Sequence, residues 1–231
     1  MQVNLYSPDE AFTLTETATN SEGSVTDSIT LDWGCEVHEP EPDSPEEDDR
    51  DSIRPSEDII SIGPDYSLSG IVYESGSFLY STHTLLGLKI IVGDAENNAQ
   101  IKAYMSFDIS ELHEKTVLAA EISLVQTKRE DSHPELFAKT VDYKAFNYGS
   151  SLDAGDFAIG GVLLERIPIL TTSYTVSGDA LLSELQTVID DPGRGYFQVK
   201  LGLNSKTNNN GLQDDVVTDL RNVGLHIRYL D

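Results

Sequence analysis

Two loops rich in asparagine, aspartate and glycine carry the side chains best suited to metal binding. The first spans residues 92–100 and the second spans residues 204–219. Carboxylate and amide oxygens are the ligands that calcium prefers in proteins. The candidate calcium ligands in these loops are Asp94, Asn97, Asp214 and Asp215. The same residue types form tight turns, and turn formation is the simpler interpretation of both loops.

A second group of side chains, mostly aromatic, could bind a sugar. An aromatic ring offers a flat apolar face, and a tyrosine hydroxyl adds a polar group at its edge. The candidate glycan-binding residues are Tyr143, Tyr148, Arg194 and Tyr196. Phe146 belongs to the same stretch of sequence, and packing in the core is the alternative explanation for it.

Catalytic chemistry finds no support in the sequence. None of the five histidines lies two, three or four residues from another, so no local zinc signature is present. The sequence also lacks a nucleophile elbow, a phosphate-binding loop and a dinucleotide fingerprint. Aspartate and glutamate are so abundant that some pair must lie at glycosidase distance by chance. The sequence therefore predicts a protein that is not an enzyme.

The elements that must position these side chains are β-strands. Residues 101–107 alternate between apolar and more polar side chains, as in a half-buried strand. The apolar positions of that strand are Ile101, Ala103, Met105 and Phe107. Residues 117–125 present one continuously apolar face that should point into the core. That face comprises Leu118, Ala120, Ile122 and Leu124.

One amphipathic helix is predicted over residues 179–190. Its apolar residues recur at helical spacing, Asp179 is a suitable N-cap, and Pro192 with Gly193 ends it. Such a stripe is typical of a helix that packs over an open edge or end of a sheet.

The same strand pair carries a family resemblance. The run SFDIS at 106–110, followed by the strand VLAAEISL at 117–124, resembles the signature of disaggregatase-related (DNRLRE) domains and kindred carbohydrate-binding modules. Further segments resemble that family in the same order, at residues 69–94, 141–157, 195–203 and 223–230. The Asn-Arg-Leu-Arg-Glu run that names the family is absent. The resemblance implies an exported all-β antiparallel sandwich, jelly-roll-like, with one short covering α-helix, which binds polysaccharide or acts as a spacer.

Residues 1–35 are predicted to form a separate N-terminal β arm. Residues 25–33 alternate as a strand, and residues 11–15 give a shorter one. Two strands alone are marginal in water, so the arm needs a neighbouring copy, another protein or the main sandwich as its partner. Its threonine-rich sequence loosely resembles strand segments of tailed-phage structural proteins. We therefore expect the arm to contact other structural proteins of an assembly, and we expect a homo-oligomer if arms of two copies pair.

Residues 36–60 are predicted to be an acidic, proline-containing linker, followed by the sandwich at 61–231. Eleven acidic residues and two arginines lie between Glu36 and Asp58, and their self-repulsion should extend the segment. A calcium-binding tract is the alternative, but the glycine and ligand spacing of an ordered calcium loop are missing.

The whole chain is acidic, with 15 lysine and arginine residues against 40 aspartate and glutamate residues and a formal net charge of −25. Without residues 36–58 the remaining 29 acidic and 13 basic residues still give −16. Such a surface repels nucleic acid and anionic lipid, so neither is an expected partner. Only eight lysines occur, which favours adaptation to high salt over an acidic surface that serves solubility alone.

The expected location is outside the cell. Nothing approaches 18 consecutive apolar residues, so no membrane insertion is expected, and the N-terminus shows no signal peptide. A virion protein released by lysis would combine an exported fold type with no visible leader. These features favour a non-catalytic structural or adhesion protein of a virion (tail, fibre or head decoration) or of another extracellular assembly of a halophile, which contacts host glycans. The alternative is a carbohydrate-binding module of an exported polysaccharide-acting or cell-surface protein.

Overall fold

The computed structural model describes residues 56–80, 87–128, 132–134, 138–169, 171–207 and 209–231, and the backbone of residues 12–20 and 23–31. The chain divides into two compact units, Met1–Ser52 and Ile53–Asp231. In the first unit, β1 (Phe12–Asn20) and β2 (Gly23–Leu31) form an antiparallel hairpin with unbroken register. Residues 36–55 of the predicted linker lie outside the described residues.

The described part of the second unit contains twelve strands, one α-helix and short 3₁₀ turns. The strands are β3 (Glu57–Ile62), β4 (Gly70–Tyr73), β5 (Phe78–Tyr80), β6 (Lys89–Asp94), β7 (Gln100–Asp108), β8 (Thr116–Lys128), β9 (Thr140–Ala145), β10 (Val162–Pro168), β11 (Ser173–Ser177), β12 (Tyr196–Leu203), β13 (Asp214–Asp219) and β14 (Gly224–Leu230). The helix α1 spans Asp179–Ile189, and the 3₁₀ turns lie at Ser110–Leu112, Ala154–Phe157 and Leu220–Asn222.

The twelve strands form two antiparallel layers. The larger sheet has the order β10-β9-β12-β7-β6-β13, and β4 also pairs with β7 and with β5. The smaller sheet has the order β11-β8-β14-β3. The layers are joined where the end of the long strand β8, residues 126–128, pairs with residues 216–218 of β13. The fold is therefore the all-β antiparallel sandwich with one short helix that the sequence predicts.

The main core lies between the two sheets. The four apolar residues predicted to point inward from β7 are each 0% exposed, which confirms that strand and its face. On β8, Ile122 and Leu124 are buried in the same core as predicted. A bulge opposite Arg228 and Tyr229 interrupts the alternation of β8, so Val117 is buried although the sequence pattern places it on the outer face.

The helix α1 forms where the sequence predicts it. Its residues Leu181, Leu185, Val188 and Ile189 are buried, and the helix packs against β8, β10 and β11. The N-cap is Gly178 with a φ of 101°, and Asp179 is the first helical residue, so the predicted N-cap is wrong by one position. A left-handed φ suits glycine, which carries no Cβ to strain the backbone there.

The boundary between linker and sandwich differs from the prediction. Strand β3 begins at Glu57 and pairs with β14 from the Glu57–Leu230 pair to the Ile62–Leu225 pair. Residues 57–60 therefore belong to the sheet, and the sandwich begins at least four residues before the predicted start at 61. The sequence missed this strand because the acidic run obscures the alternation of its isoleucines.

Candidate functional site

A cleft of about 230 Å³ lies on the outer face of the larger sheet, and three of the eight lysines of the chain line it. We call it the lysine cleft, and its lining residues are Gln100, Lys102, Asp142, Lys144, Ala158, Ile159, Gly160, Lys200, Gly202 and Leu203.

Strand register places the three lysines together. Lys200 on β12 lies directly opposite Lys144 on β9 and, on its other side, opposite Tyr104 on β7. Lys102 precedes Tyr104 by two residues on β7, so the two side chains share a face. Directly opposite residues have Cβ atoms about 5 Å apart, and diagonal neighbours are within reach of a long lysine side chain. Three adjacent strands thus direct ammonium groups into one space.

The floor of the cleft is open because β12 carries glycine at position 202. Gly202 lies opposite Asp142 of β9. A Cβ added at Gly202 would come no closer than 3.8 Å to Lys102 Cγ, so alanine would fit there. A larger side chain at this position would occupy the cleft itself.

One wall of the cleft belongs to a segment that crosses the outer face of the sheet, residues 146–161. Its aromatic and aliphatic side chains form a second, smaller core with β4 and β7, which we call the outer core. The buried members of the outer core are Val72, Tyr104, Phe146, Tyr148 and Leu152. The face of β7 that the sequence predicts as half-buried is consequently closed to solvent at Tyr104 and Ser106.

The 3₁₀ turn Ala154–Phe157 anchors this segment. Asp153 and Asp156 form a capping box, in which each carboxylate accepts from a backbone N–H of the turn. The Tyr104 hydroxyl donates to the Asp156 carbonyl at 2.9 Å. At the far end, Gly161 passes so close to β9 that a Cβ would lie 2.5 Å from the Ala145 carbonyl oxygen. The wall that follows the turn is therefore held at both ends.

Two of the lysines bind the wall. Lys102 Nζ donates to the Phe157 carbonyl at 2.7 Å and lies 3.9 Å from the centre of the Phe157 ring. Lys200 Nζ donates to the Ile159 carbonyl and lies 4.4 Å from the centre of the Phe146 ring. Carbonyl oxygens and aromatic faces carry only partial negative charge, so these contacts leave both ammonium charges without a full counter-charge.

The third lysine is the most accessible of the cleft cations. The Lys144 side chain is 35% exposed, and its Nζ lies 3.2 Å from an Asp142 carboxylate oxygen. The other oxygen of Asp142 is 3.2 Å from Arg166 Nε. One carboxylate is thus shared by two cations, and the positive charges around the cleft outnumber the negative ones.

The pKa values of two of these lysines are lowered. Burial, followed by the Lys102 and Lys144 charges, lowers the pKa of Lys200 to about 8, although Asp156 acts in the opposite direction. The pKa of Lys102 is also lowered, mainly by burial and then by Lys144. An ammonium group whose charged form is destabilised by burial is stabilised when an anion binds beside it. The cleft is therefore suited to a negatively charged group.

The predicted sugar platform is not assembled. Tyr143 is 0% exposed in the main core and contacts Gln126 through its hydroxyl, whereas Tyr148 is buried in the outer core and donates to the Leu68 carbonyl at 2.9 Å. These two tyrosines lie on opposite faces of the sheet, and neither ring is exposed; their role in stacking on a sugar stays a prediction. The core explanation of Phe146 is confirmed, since it is 6% exposed.

Arg194 and Tyr196 are half-buried at the other end of β12. Tyr143 lies opposite Leu201, five residues along β12 from Tyr196, which corresponds to about 17 Å. Tyr196 therefore lies well away from Tyr143. Tyr148 is nearer, because its backbone N–H donates to Gln198 Oε1 at 2.8 Å and Gln198 shares a face of β12 with Tyr196. Since Tyr143 lies on the other face of the sheet, the four residues do not share a surface.

The predicted calcium ligands are also not gathered. Asp94 and Asp214 are buried and directly opposite each other on β6 and β13, whereas Asp215, the next residue, points to the other face. Asn97 is exposed, and its side chain accepts from the Ala99 N–H within its own turn, as the turn interpretation predicts. Among the residues that the structure describes, no three His, Cys, Asp or Glu side chains are placed to hold a metal ion.

A histidine of the smaller sheet is fixed between two serines. This residue is His226 of β14, and its ring nitrogens lie 2.8 Å from Ser61 Oγ and 2.9 Å from Ser123 Oγ. Because β14 pairs with strands on both sides, its backbone N–H groups are used in the two ladders and do not form an oxyanion site. We interpret the contacts as structural.

The sequence carried one unused signal for the lysine cleft. Lys102, Lys144 and Lys200 each lie between two apolar residues inside a strand, in a chain with few lysines. The pattern marks outward-facing cations on strands, but only the register shows that they converge.

Comparison with known proteins leaves the site to be interpreted from its own chemistry. No protein-family model matches the chain, and no curated protein matches it. The resemblance to disaggregatase-related domains stays a prediction. Among the described residues, no helix is long and apolar enough to span a membrane.

Proposed function

We propose that this protein is a non-catalytic adhesion module, displayed on a virion or another external assembly, that binds a negatively charged group of a surface glycan in the lysine cleft. The observation that supports it most directly is the convergence of Lys102, Lys144 and Lys200 on one cleft in a chain of net charge −25. The remaining surface repels anions at long range, so the cleft is the place where an anion gains most.

The other lining residues suit a sugar. Asp142 and Gln100 supply oxygens that can accept from sugar hydroxyls, and the exposed Ile159 offers an apolar contact for a C–H face. A volume of about 230 Å³ lies below the roughly 300 Å³ of typical ligand pockets. The cleft therefore fits one charged residue or chain end better than a long buried polymer.

The charges around the cleft favour binding over hydrolysis. Glycoside hydrolysis ordinarily needs two carboxyl groups, one on each side of the scissile bond. Asp142 is the one carboxylate among the lining residues, and it is already engaged by Lys144 and Arg166. A cationic cleft whose one carboxylate is paired with two cations is better suited to binding an anionic ligand than to hydrolysing it.

The binding part of the proposal is tested with purified protein. We expect dextran sulfate or a polyuronate to bind at 0.15 M salt, and we expect uncharged dextran not to bind. At 1 M salt the Debye length falls to about 3 Å, so affinity should weaken while contacts inside the cleft persist in part. Equal binding of the charged and uncharged polymers, or binding of neither, would refute an anion-selective cleft.

The display part of the proposal needs a different measurement. Mass spectrometry of purified virus particles or extracellular fibres should find this chain in stoichiometric amount, together with the structural proteins that its arm contacts. Light scattering of the purified chain tests the homo-oligomer. Recovery of the protein solely from cytosol would remove the external assembly from the proposal and leave the binding result intact.

A further inference from the structure

Lys200 is the lysine of the cleft whose charge is most enclosed. It is 5% exposed, its Nζ bonds the Ile159 carbonyl of the wall, and the Asp156 carbonyl lies 3.5 Å away. Lys200 nevertheless lines the cleft, and it lies directly opposite Lys144 in the strand register, so an anion in the cleft lies close to both cations. The protonation state of Lys200 therefore decides how much charge the ligand meets.

We infer that ligand binding in the lysine cleft is coupled to protonation of Lys200, so that the cleft holds an anion at neutral pH and releases it as the solution becomes mildly alkaline. This inference rests on the proposed function, because it concerns the regulation of the same site.

The charged and titratable groups that face Lys200 come from each neighbouring element. They are Lys102 and Tyr104 on β7, Asp142 and Lys144 on β9 and Asp156 in the 3₁₀ turn, and Arg166 on β10 lies beyond them against the Asp142 carboxylate. Burial raises the pKa of the Tyr104 hydroxyl, so this phenol stays neutral in the relevant range. The pKa of Lys102 is lowered like that of Lys200, so its titration acts in the same direction.

The size of the effect follows from the fraction of protein that carries the proton. With a pKa of about 8 in the free protein, Lys200 is mostly protonated at pH 7, and roughly one molecule in ten keeps the proton at pH 9. Apparent affinity scales with the binding-competent fraction. A bound anion raises the pKa of the amine, so the affinity should fall about tenfold from pH 7 to pH 9.

Dextran sulfate is the probe of choice, because sulfate esters stay ionised throughout this range and the titration belongs to the protein. Its dissociation constant is measured at fixed ionic strength at pH 7, 8, 9 and 9.5. The wild type should weaken about tenfold by pH 9. Lys200→Arg keeps its charge at every pH, so its dissociation constant should vary less than threefold.

A spectroscopic measurement avoids any dependence on how well the variant folds. The ¹³Cε resonance of Lys200 in the wild-type protein reports its titration directly, and saturating dextran sulfate should move the midpoint to higher pH by about two units. Binding that is strong at pH 7 and unchanged to pH 9.5 would overturn the coupling and leave the proposed function standing. Failure of the wild type to bind at pH 7 would remove both.

Discussion

Two regions of the larger sheet bury charged side chains, and they use them in opposite ways. At the β6–β13 end, Asp94 accepts from the Asp214 N–H at 3.1 Å and from the Thr207 hydroxyl at 2.5 Å. Asp214 in turn accepts from the His133 N–H at 2.7 Å and from the Asn210 amide at 3.2 Å. These carboxylates are supplied with donors by the protein itself.

The lysine cleft lacks that internal compensation. Its ammonium groups meet carbonyl oxygens, ring faces and one shared carboxylate, and Lys144 remains open to solvent. Buried polar groups with partners stabilise a fold, whereas charges with incomplete partners favour an outside ligand. The abundance of a charge type in the sequence therefore does not identify the site. The acidic loops are rich in oxygen ligands, which is why the sequence predicts a metal there, and in the structure the Asp94 and Asp214 oxygens accept hydrogen bonds from the protein itself.

The largest effect should be on stability, when a buried carboxylate that accepts hydrogen bonds from the protein is removed. Asp94→Ala removes the carboxylate that accepts from the Asp214 N–H and the nearer acceptor of the Thr207 hydroxyl, so we expect a loss of about 3 kcal/mol in the free energy of unfolding. Asp94→Asn keeps one acceptor oxygen and should lose about 1 kcal/mol. Chemical denaturation measures both, and millimolar calcium should leave the wild-type midpoint unchanged. A loss below 1 kcal/mol for the alanine variant would erase the contrast between the two regions.

Filling the cleft should weaken binding strongly while stability is kept. In Gly202→Val the added methyl groups occupy the space between Lys102 and Asp142 without changing any charge, and valine suits a strand. We expect dextran sulfate to bind about 30-fold more weakly, which corresponds to about 2 kcal/mol. Gly202→Ala is the matched control, because its Cβ fits at 3.8 Å, and it should stay within threefold of the wild type. Full binding by a folded valine variant would place the anion elsewhere.

The uncompensated charge of Lys200 should appear in the stability of the ligand-free protein. Its pKa is about 8 when folded against 10.5 for an ordinary lysine. Between these values the unfolded chain holds a proton that the folded chain has lost, so the free energy of unfolding rises with pH. We expect a gain of about 1.5 kcal/mol from pH 7.5 to pH 9.5 that Lys200→Met does not show.

The pH series should end below pH 10, because above that pH the buried tyrosines lower the free energy of unfolding whereas Lys200 raises it. Burial raises the pKa of Tyr104, Tyr143 and Tyr148, so the folded chain keeps phenol protons that the unfolded chain releases. Stability is therefore lost as the pH rises above 10. Parallel pH profiles for the wild type and Lys200→Met would show that Lys200 carries its charge without penalty.

Strands β7 and β12 show which features of the structure can be predicted from the sequence. Alternation predicted the inward face of β7 because a one-residue shift would expose all four of its apolar residues. It could not predict that Tyr104 is covered, since the covering segment lies 40 residues further along the chain and packs through irregular turns. Lys200 and Lys144 meet through the β12–β9 register, 56 residues apart in sequence, which no local pattern encodes. The sequence groups Tyr143 with Tyr148 because it does not show that β9 ends at Ala145 and that the chain then crosses to the outer face of the sheet.

The smallest effect should come from the most exposed cation of the cleft. Lys144→Gln removes a charge that is 35% exposed and already shared with Asp142, so we expect about fivefold weaker binding of dextran sulfate at 0.15 M salt. Lys139→Gln removes the same charge from an exposed position outside the cleft and should change affinity less than twofold. Neither variant should shift the free energy of unfolding by more than about 0.5 kcal/mol, in contrast to Asp94→Ala. Equal weakening by both lysine variants would mean that the polymer responds to the overall charge of the protein. The lysine cleft would then not be a specific anion site, and its contrast with the β6–β13 end would be lost.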